Sequence, residues 1–308
     1  MELDAVVAVK AVVAEDVVVL ELTAAAGGEL PAWAPGAHVD LILRPGLERQ
    51  FSLCGDPEDR GVWRVAVLRE RAGRGGSAYV HDTLAVGDRI QVRGPRNHFP
   101  LVEADEYLFI AGGIGITPLL PMMRAVAARG RRWRLVYGGR RAAGMAFTDE
   151  LPTDEKTVTL WPQDEFGLID LEAALGEPRE GFRVYCCGPE PLIAAVEQRW
   201  PPGALHTERF RPRAVEAGGD VSFVVRLDYT GIDVTVGAGQ SIVQAVEAAG
   251  VEVVTSCREG TCGTCETSVL DGLPLHRDSV LTDEERAAGD TMMICCGRSL
   301  TPLLVLDL

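Results

Sequence analysis

Short apolar runs broken by turn residues dominate the first hundred positions. Residues 5–9, 17–23, 38–43, 49–53, 63–68 and 89–93 are rich in β-branched and other apolar side chains and are separated by Gly, Pro and Asp clusters. Each is predicted to be a strand. Six short strands with no long helix among them predict a closed antiparallel barrel, and Pro100 with the acidic stretch 103–106 marks its exit. The period then changes. Residues 107–111, 134–137, 157–160 and 183–186 form apolar runs, with 119–128, 168–175 and 191–199 at helical spacing between or after them. Strands alternating with helices predict a parallel, doubly wound sheet. Residues 211–220 hold Pro212, Gly218 and Gly219 and little apolar material, which reads as a linker. Beyond it, strands at 222–227, 233–236, 266–270, 291–295 and 303–306, with a helix at 241–249 that Gly250 terminates, predict a small α+β domain. The expected domains are therefore 1–101, 102–212 and 221–308, with 213–220 as the linker.

Composition narrows this picture. At 308 residues the chain has room for two or three domains with their own cores, and 47 % apolar residues mark it as globular. Glu2, Asp4, Lys10, Glu15 and Asp16 interrupt every early apolar run, so no signal peptide is expected. The longest uncharged stretch, 108–123, is too short to span a bilayer comfortably. Eight cysteines without an export signal point to a reducing cytoplasm. The net charge is −15, and residues 213–308 carry 15 Asp and Glu against 6 Lys and Arg. Nucleic acid is thus an unexpected partner, while the acidic last third suits either a basic protein surface or simple solubility.

The cysteines carry the sharpest chemistry. Cys257, Cys262 and Cys265 form C-x4-C-x2-C, and 29 residues separate Cys265 from Cys295. This is the plant-type spacing of a [2Fe–2S] cluster, with three thiolates from one loop and a fourth from afar. Gly260 and Gly263 let the backbone pass close to the cluster. A zinc site more often shows two C-x2-C pairs, and a disulfide framework suits a short secreted chain. Elsewhere, Arg49-Gln50-Phe51-Ser52-Leu53 alternates along a strand, with Arg49, Phe51 and Leu53 on one face. An arginine for phosphate beside an aromatic ring suits a flavin. Gly75-Gly76-Ser77 fits a loop opening a phosphate-binding helix, or an ordinary glycine turn with Ser77 as N-cap. Gly112-Gly113-Ile114-Gly115-Ile116-Thr117-Pro118 follows a strand and precedes a helix. It departs from G-x-G-x-x-G at its last position but still lets a pyrophosphate approach the backbone. Tyr137-Gly138-Gly139-Arg140 and Cys186-Cys187-Gly188-Pro189-Glu190 close two later strands, either as ligand-binding ends or as packing turns.

Together these segments resemble the phthalate dioxygenase reductase-like family over essentially the whole chain. Arg49-Gln50-Phe51-Ser52 resembles the family's R-x-Y-S flavin signature, with Phe51 in place of tyrosine. Gly75-Gly76-Ser77 is similar to its FMN phosphate loop, and Gly112, Gly113, Gly115, Thr117, Arg140, Cys187, Gly188 and Pro189 fall in its nicotinamide-nucleotide elements. His206-Thr207-Glu208-Arg209-Phe210 resembles its H-x-E-x-F segment, in which the phenylalanine covers the flavin until nicotinamide displaces it. The family ends C-x-S-R, which aligns Cys295 as fourth ligand and leaves Cys296 outside the set. The resemblance implies an antiparallel flavin-binding β-barrel, a doubly wound nucleotide domain and a C-terminal plant-type, β-grasp-like ferredoxin domain. It implies FMN, a [2Fe–2S] cluster and NADH, although Arg140 leaves NADPH open. Nicotinamide yields two electrons at once and the cluster accepts one, so a flavin stands between them. Phe210 and Cys187 are expected at the nicotinamide–flavin stack, and Cys187 reads equally as a buried structural cysteine. The implied function is a monomeric, cytoplasmic reductase component of an oxygenase, Rieske-type first and cytochrome P450 second. An iron–sulfur redox sensor is the alternative from another class.

Overall fold

The computed structural model describes residues 2–212 and 220–308. The expected linker at 213–220 lies outside the described residues except for Asp220. Chain contacts divide the protein into two compact units, Met1–Glu208 and Arg209–Leu308.

The first unit opens with β1 (Glu2–Ala14), β2 (Val17–Ala24), β3 (His38–Arg44), β4 (Leu47–Ser52), β5 (Trp63–Leu68), α1 (Gly76–Asp82) and β6 (Arg89–Arg96). The six strands pair antiparallel in the order β4-β3-β6-β1-β2-β5. A bridge between Leu53 and Val65 joins the two edge strands, so the sheet closes on itself. Alternation dictates the interior: Val39, Leu41, Leu53, Val65 and Val92 are fully buried around Trp63. All six expected strands occur. β1 runs past its expected end because two bulges let it bend with β2.

The same unit continues with β7 (Glu106–Gly112), α2 (Ile116–Ala128), β8 (Arg132–Gly139), β9 (Val158–Pro162), α3 (Gln163–Phe166), α4 (Leu171–Leu175), β10 (Phe182–Cys187), α5 (Glu190–Glu197) and β11 (Leu205–Glu208). These strands are all parallel, ordered β11-β10-β7-β8-β9. Along β7, Tyr107 and Phe109 face α2 and join one core, whereas Leu108 and Ile110 face α5 and join another. Helices therefore cover both faces, which defines the doubly wound sheet. The strand order reverses between β7 and β10, and ligands bind outside the carboxyl ends of the strands at such a point. Strand β11 was not among the expected elements. A salt-bridge cluster ties barrel to nucleotide sheet: Glu150 accepts from Arg64 at 2.6 and 3.0 Å and from Arg124 at 2.8 Å.

The second unit holds β12 (Phe223–Leu227), β13 (Ile232–Val236), α6 (Ile242–Ala248), β14 (Glu266–Asp271), β15 (Pro274–Leu275), α7 (Asp283–Ala288), β16 (Thr291–Met293), β17 (Arg298–Ser299) and β18 (Leu303–Leu306). Its main sheet runs β13-β12-β18-β14-β16, with β12 and β18 parallel and the rest antiparallel. Ser241 and Gln244 form a capping box at the start of α6, and Gly250 leaves its end at φ +85°. Ile242, Val246, Val225, Leu304 and Leu306 fill the core between helix and sheet. This is a β-grasp arrangement, and the cysteine loop lies between α6 and β14. The expected strand at 291–295 stops at Met293, which leaves Cys295 in a turn. Among the described residues no helix is long and apolar enough to cross a membrane.

Candidate functional site

Arg49 lies on β4 beside the glycine turn that opens α1. Its guanidinium donates to the carbonyls of Arg74 at 2.7 Å and Glu48 at 2.6 Å. A Cβ placed on Gly76 would come 2.6 Å from Arg49 Nε, so glycine leaves a cradle that any side chain would fill. Gly75 is the N-cap at φ 84°, without a side-chain cap. The reading of Ser77 as N-cap is therefore corrected: Ser77 is inside the helix, and its hydroxyl accepts from Glu70 N at 2.9 Å. The left-handed conformation forces the cap position to glycine. Phe51 is partly buried against the barrel core. Ser52 points to the opposite face, where its hydroxyl donates to Glu208 Oε2 over a long 3.4 Å. An arginine, a glycine cradle and a flat aromatic fit the phosphate and ring of FMN.

At the carboxyl ends of β7 and β10 two turns press together. A Cβ on Gly115 would overlap the Cys187 carbonyl, and one on Gly188 would lie 2.9 Å from Gly112 Cα. Glycine is needed at both for backbone to meet backbone. Gly113, at φ +55°, has open space around it. Thr117 is 2 % exposed, and its hydroxyl donates to Ile114 O at 2.9 Å inside the turn. Pro189 caps α5. Cys187 is wholly buried, and burial pushes its thiol up. Arg140 immediately follows β8 and is exposed. Phe210, two residues beyond β11, is 42 % exposed.

Sequence reasoning passed over Glu208 as chemistry. It pairs in register with Cys187 at the end of β11, facing Ser52. Desolvation by burial raises its carboxyl to about 8, against a smaller lowering by the Ser52 bond. Its place in the H-x-E-x-F segment was the available signal. Neighbouring His206 stacks on Tyr185 at 4.7 Å, and burial lowers its pKa.

In the second unit Cys257, Cys262, Cys265, Cys295 and Cys296 are all free thiols, with no disulfide among them. The contacts pair Cys257 with Cys262 and Cys265 with Cys295, and Cys257 also meets Cys295. Hydrogen bonding from Cys262 and Cys295 holds the Cys257 thiol far below its ordinary range. Among the described residues no three such groups converge on a single-ion site. The C-x4-C-x2-C spacing with a distant fourth cysteine is that of a two-iron cluster. Amides already point at sulfur: Glu259 N and Thr261 N donate to Cys257 Sγ at 3.3 and 3.4 Å, and Thr264 N to Cys262 Sγ at 3.5 Å. The left-handed φ of Gly260 (+74°) and Gly263 (+71°) produces this curl. Cys296 lies behind the loop, where a Cβ on Gly260 would strike its sulfur. Asp278 is 1 % exposed and accepts from Leu281 N at 2.8 Å and Val280 N at 3.0 Å. It is a structural carboxylate that closes the loop behind the cysteines.

Residues 109–198 match a family described as an oxidoreductase NAD-binding domain, and residues 225–299 one described as a 2Fe-2S iron-sulfur cluster binding domain. The chain is 45 % identical to phenoxybenzoate dioxygenase subunit beta of Ectopseudomonas oleovorans, covering 96 % of this chain and 94 % of that one. It is 38 % identical to phthalate dioxygenase reductase of Burkholderia cepacia, covering 98 % and 96 %. A solved structure of phthalate dioxygenase reductase superimposes with a TM-score of 0.72 at 37 % identity, over 100 % of this chain and 98 % of that one. An intact type IV self-sufficient cytochrome P450 monooxygenase superimposes with a TM-score of 0.93 at 43 % identity, and this chain spans 41 % of its length.

Proposed function

We propose, since the chain belongs to the phthalate dioxygenase reductase family of FMN, NAD and [2Fe–2S] oxidoreductases, that it is the reductase component of a multicomponent oxygenase. It draws hydride from NADH and delivers single electrons to a terminal oxygenase. The observation that carries this reading is one chain holding the Arg49–Gly76 cradle, the Gly115–Cys187 turn contact and the four-thiol loop.

Bound FMN supplies the conversion from two-electron to one-electron chemistry, and the cluster carries the single electrons onward. The protein's residues bind, orient and tune. Arg49 and the amides of Gly75, Gly76 and Ser77 hold the flavin phosphate, with Phe51 flanking its ring. The Ser52 hydroxyl and Glu208 face the reacting edge, where Glu208 keeps its proton at neutral pH and can donate a hydrogen bond. Gly112, Gly113 and Gly115 bring backbone amides to the nucleotide pyrophosphate. Cys187, Gly188 and Pro189 border the nicotinamide, and Phe210 covers the flavin in its absence. Cys257, Cys262, Cys265 and Cys295 ligate the cluster, and the amides on their sulfurs stabilise its added negative charge.

The flavin domain occupies 1–101, the nucleotide domain 102–212 and the ferredoxin domain 221–308, in a cytoplasmic monomer. A Rieske-type oxygenase is the first choice of partner. The strong likeness to a self-sufficient P450 monooxygenase favours a cytochrome P450 as the second. The test is NADH-driven reduction of ferricyanide by the purified protein. Turnover of many equivalents per second supports a reductase, and a few per hour would favour a redox sensor instead.

A further inference from the structure

The ends of β8 and β9 carry features that flavin, pyrophosphate and cluster binding leave idle. Arg140 is exposed, and its guanidinium has no ion-pair or hydrogen-bond partner among the described residues. Arg141 beside it is held by Glu15 at 2.7 Å. Trp161, within β9, and Phe166, which ends α3, pack at 5.6 Å, and Phe166 is 58 % exposed. The Trp161 indole donates to Gly167 O at 3.1 Å, which fixes the ring. Phe166, exposed beside the half-buried Trp161, offers a flat surface that a ligand ring can cover.

The strand register places these groups together. Gly112 on β7 pairs with Gly138 on β8, and Gly138 pairs with Trp161 on β9. The pyrophosphate turn, the arginine and the aromatic pair thus lie abreast along one sheet end. Arg140 is two residues past Gly138, about 7 Å further at the usual strand rise. With the pyrophosphate on the turn after β7 and the nicotinamide toward β10, the adenosine must extend the other way, over β8 and β9. Sites selective for NAD place a carboxylate there for the ribose 2′-hydroxyl, and an arginine nearby accommodates a 2′-phosphate. Asp164 and Glu165 reach the same corner from α3, where Asp164 N donates to the Arg140 carbonyl at 3.2 Å, but among the described residues neither carboxylate pairs with the Arg140 guanidinium.

We infer that Arg140 determines nucleotide specificity by receiving the 2′-phosphate of NADPH, while Trp161 and Phe166 flank the adenine, so that NADPH serves beside NADH. The inference rests on the reductase reading and extends it to the adenosine end of the substrate. Arg141 is engaged with Glu15 and leaves Arg140 as the available cation.

Calorimetry on the flavin- and cluster-loaded protein tests this with two probes, ADP-ribose and its 2′-phosphorylated form. The wild type should bind the phosphorylated probe about tenfold more tightly, the scale of one hydrogen bond to a charged group. Arg140→Ala should cut the difference to below about twofold, and Arg140→Lys should restore most of it. In parallel, the NADPH-to-NADH ratio of kcat/KM for flavin reduction should fall about tenfold in Arg140→Ala. A wild type that binds both probes alike, or an Arg140→Ala protein that weakens both equally, overturns the inference. A wild-type flavin that NADH fails to reduce overturns the reductase reading instead, and the calorimetry still decides the role of Arg140.

Discussion

Replacing Glu208 with glutamine should make the first unit more stable at alkaline pH while leaving it nearly unchanged in acid. Burial raises this carboxyl from 4.5 to about 8. In the unfolded chain the proton leaves near the ordinary value, whereas in the folded protein it stays until about pH 8. Between those values the native state binds one more proton than the unfolded state, so stability falls as pH rises. The contribution is fully present below pH 4.5 and gone above about 8. At about 1.4 kcal/mol per pH unit the whole loss is at most about 5 kcal/mol. Glutamine has the same shape, cannot titrate and can still accept from Ser52, so the variant escapes this loss. The assay is convenient because Trp33, Trp63, Trp133, Trp161 and Trp200 all fall in the first unit, and residues 221–308 contain no tryptophan. Tryptophan fluorescence during urea unfolding therefore reports that unit alone. The wild-type midpoint should drop relative to Glu208→Gln from pH 5 to pH 8.5, and subtraction of the two curves removes every other titrating group. Parallel pH profiles for the two proteins would refute the burial argument.

Three other outcomes follow from the same geometry. Gly76→Ala places a methyl on Arg49, so FMN should dissociate about tenfold more readily, as measured by flavin fluorescence on dilution. Cys296→Ser should keep the cluster's visible absorption and Cys295→Ser should bleach it, because Cys295 meets both Cys257 and Cys265 while Cys296 lies behind the loop; the reverse result would reassign the fourth ligand. Asp283, Glu284 and Glu285 are exposed on the first turn of α7, and in stopped flow, electron delivery to a partner oxygenase should slow with rising salt while NADH-driven flavin reduction barely changes.

Where apolar alternation was strong, the sequence foretold the element. The six barrel strands and β7 to β10 each bury one or both faces, and that burial writes itself into the residue pattern. Strand β11 was missed because Leu205-His206-Thr207-Glu208 carries almost no apolar signal. It is an edge strand held by its backbone pairing with β10, which any sequence can provide. Of the candidate site, the four cysteines were legible because a metal cluster demands fixed residue types at fixed spacing. The side-chain settings of Thr117 and Asp278 were not legible, for the opposite reason. A hydroxyl turned into its own helix start and a carboxylate folded under a loop look, in one dimension, like a ligand contact and a surface charge. The raised pKa of Glu208 comes from burial that the fold creates, with Ser52 and Cys187 brought beside it from 156 and 21 positions away in the chain.

Electrons from NADH should reach the cysteine loop through the flavin. An anaerobic titration of the purified protein with NADH, followed by absorption and electron paramagnetic resonance, measures this directly. The flavin absorption should bleach and the signal of a reduced [2Fe–2S] cluster should grow with added NADH, approaching one spin per chain. Bleaching of the flavin with no cluster signal, or a protein that holds zinc in place of iron and sulfide, would contradict the account.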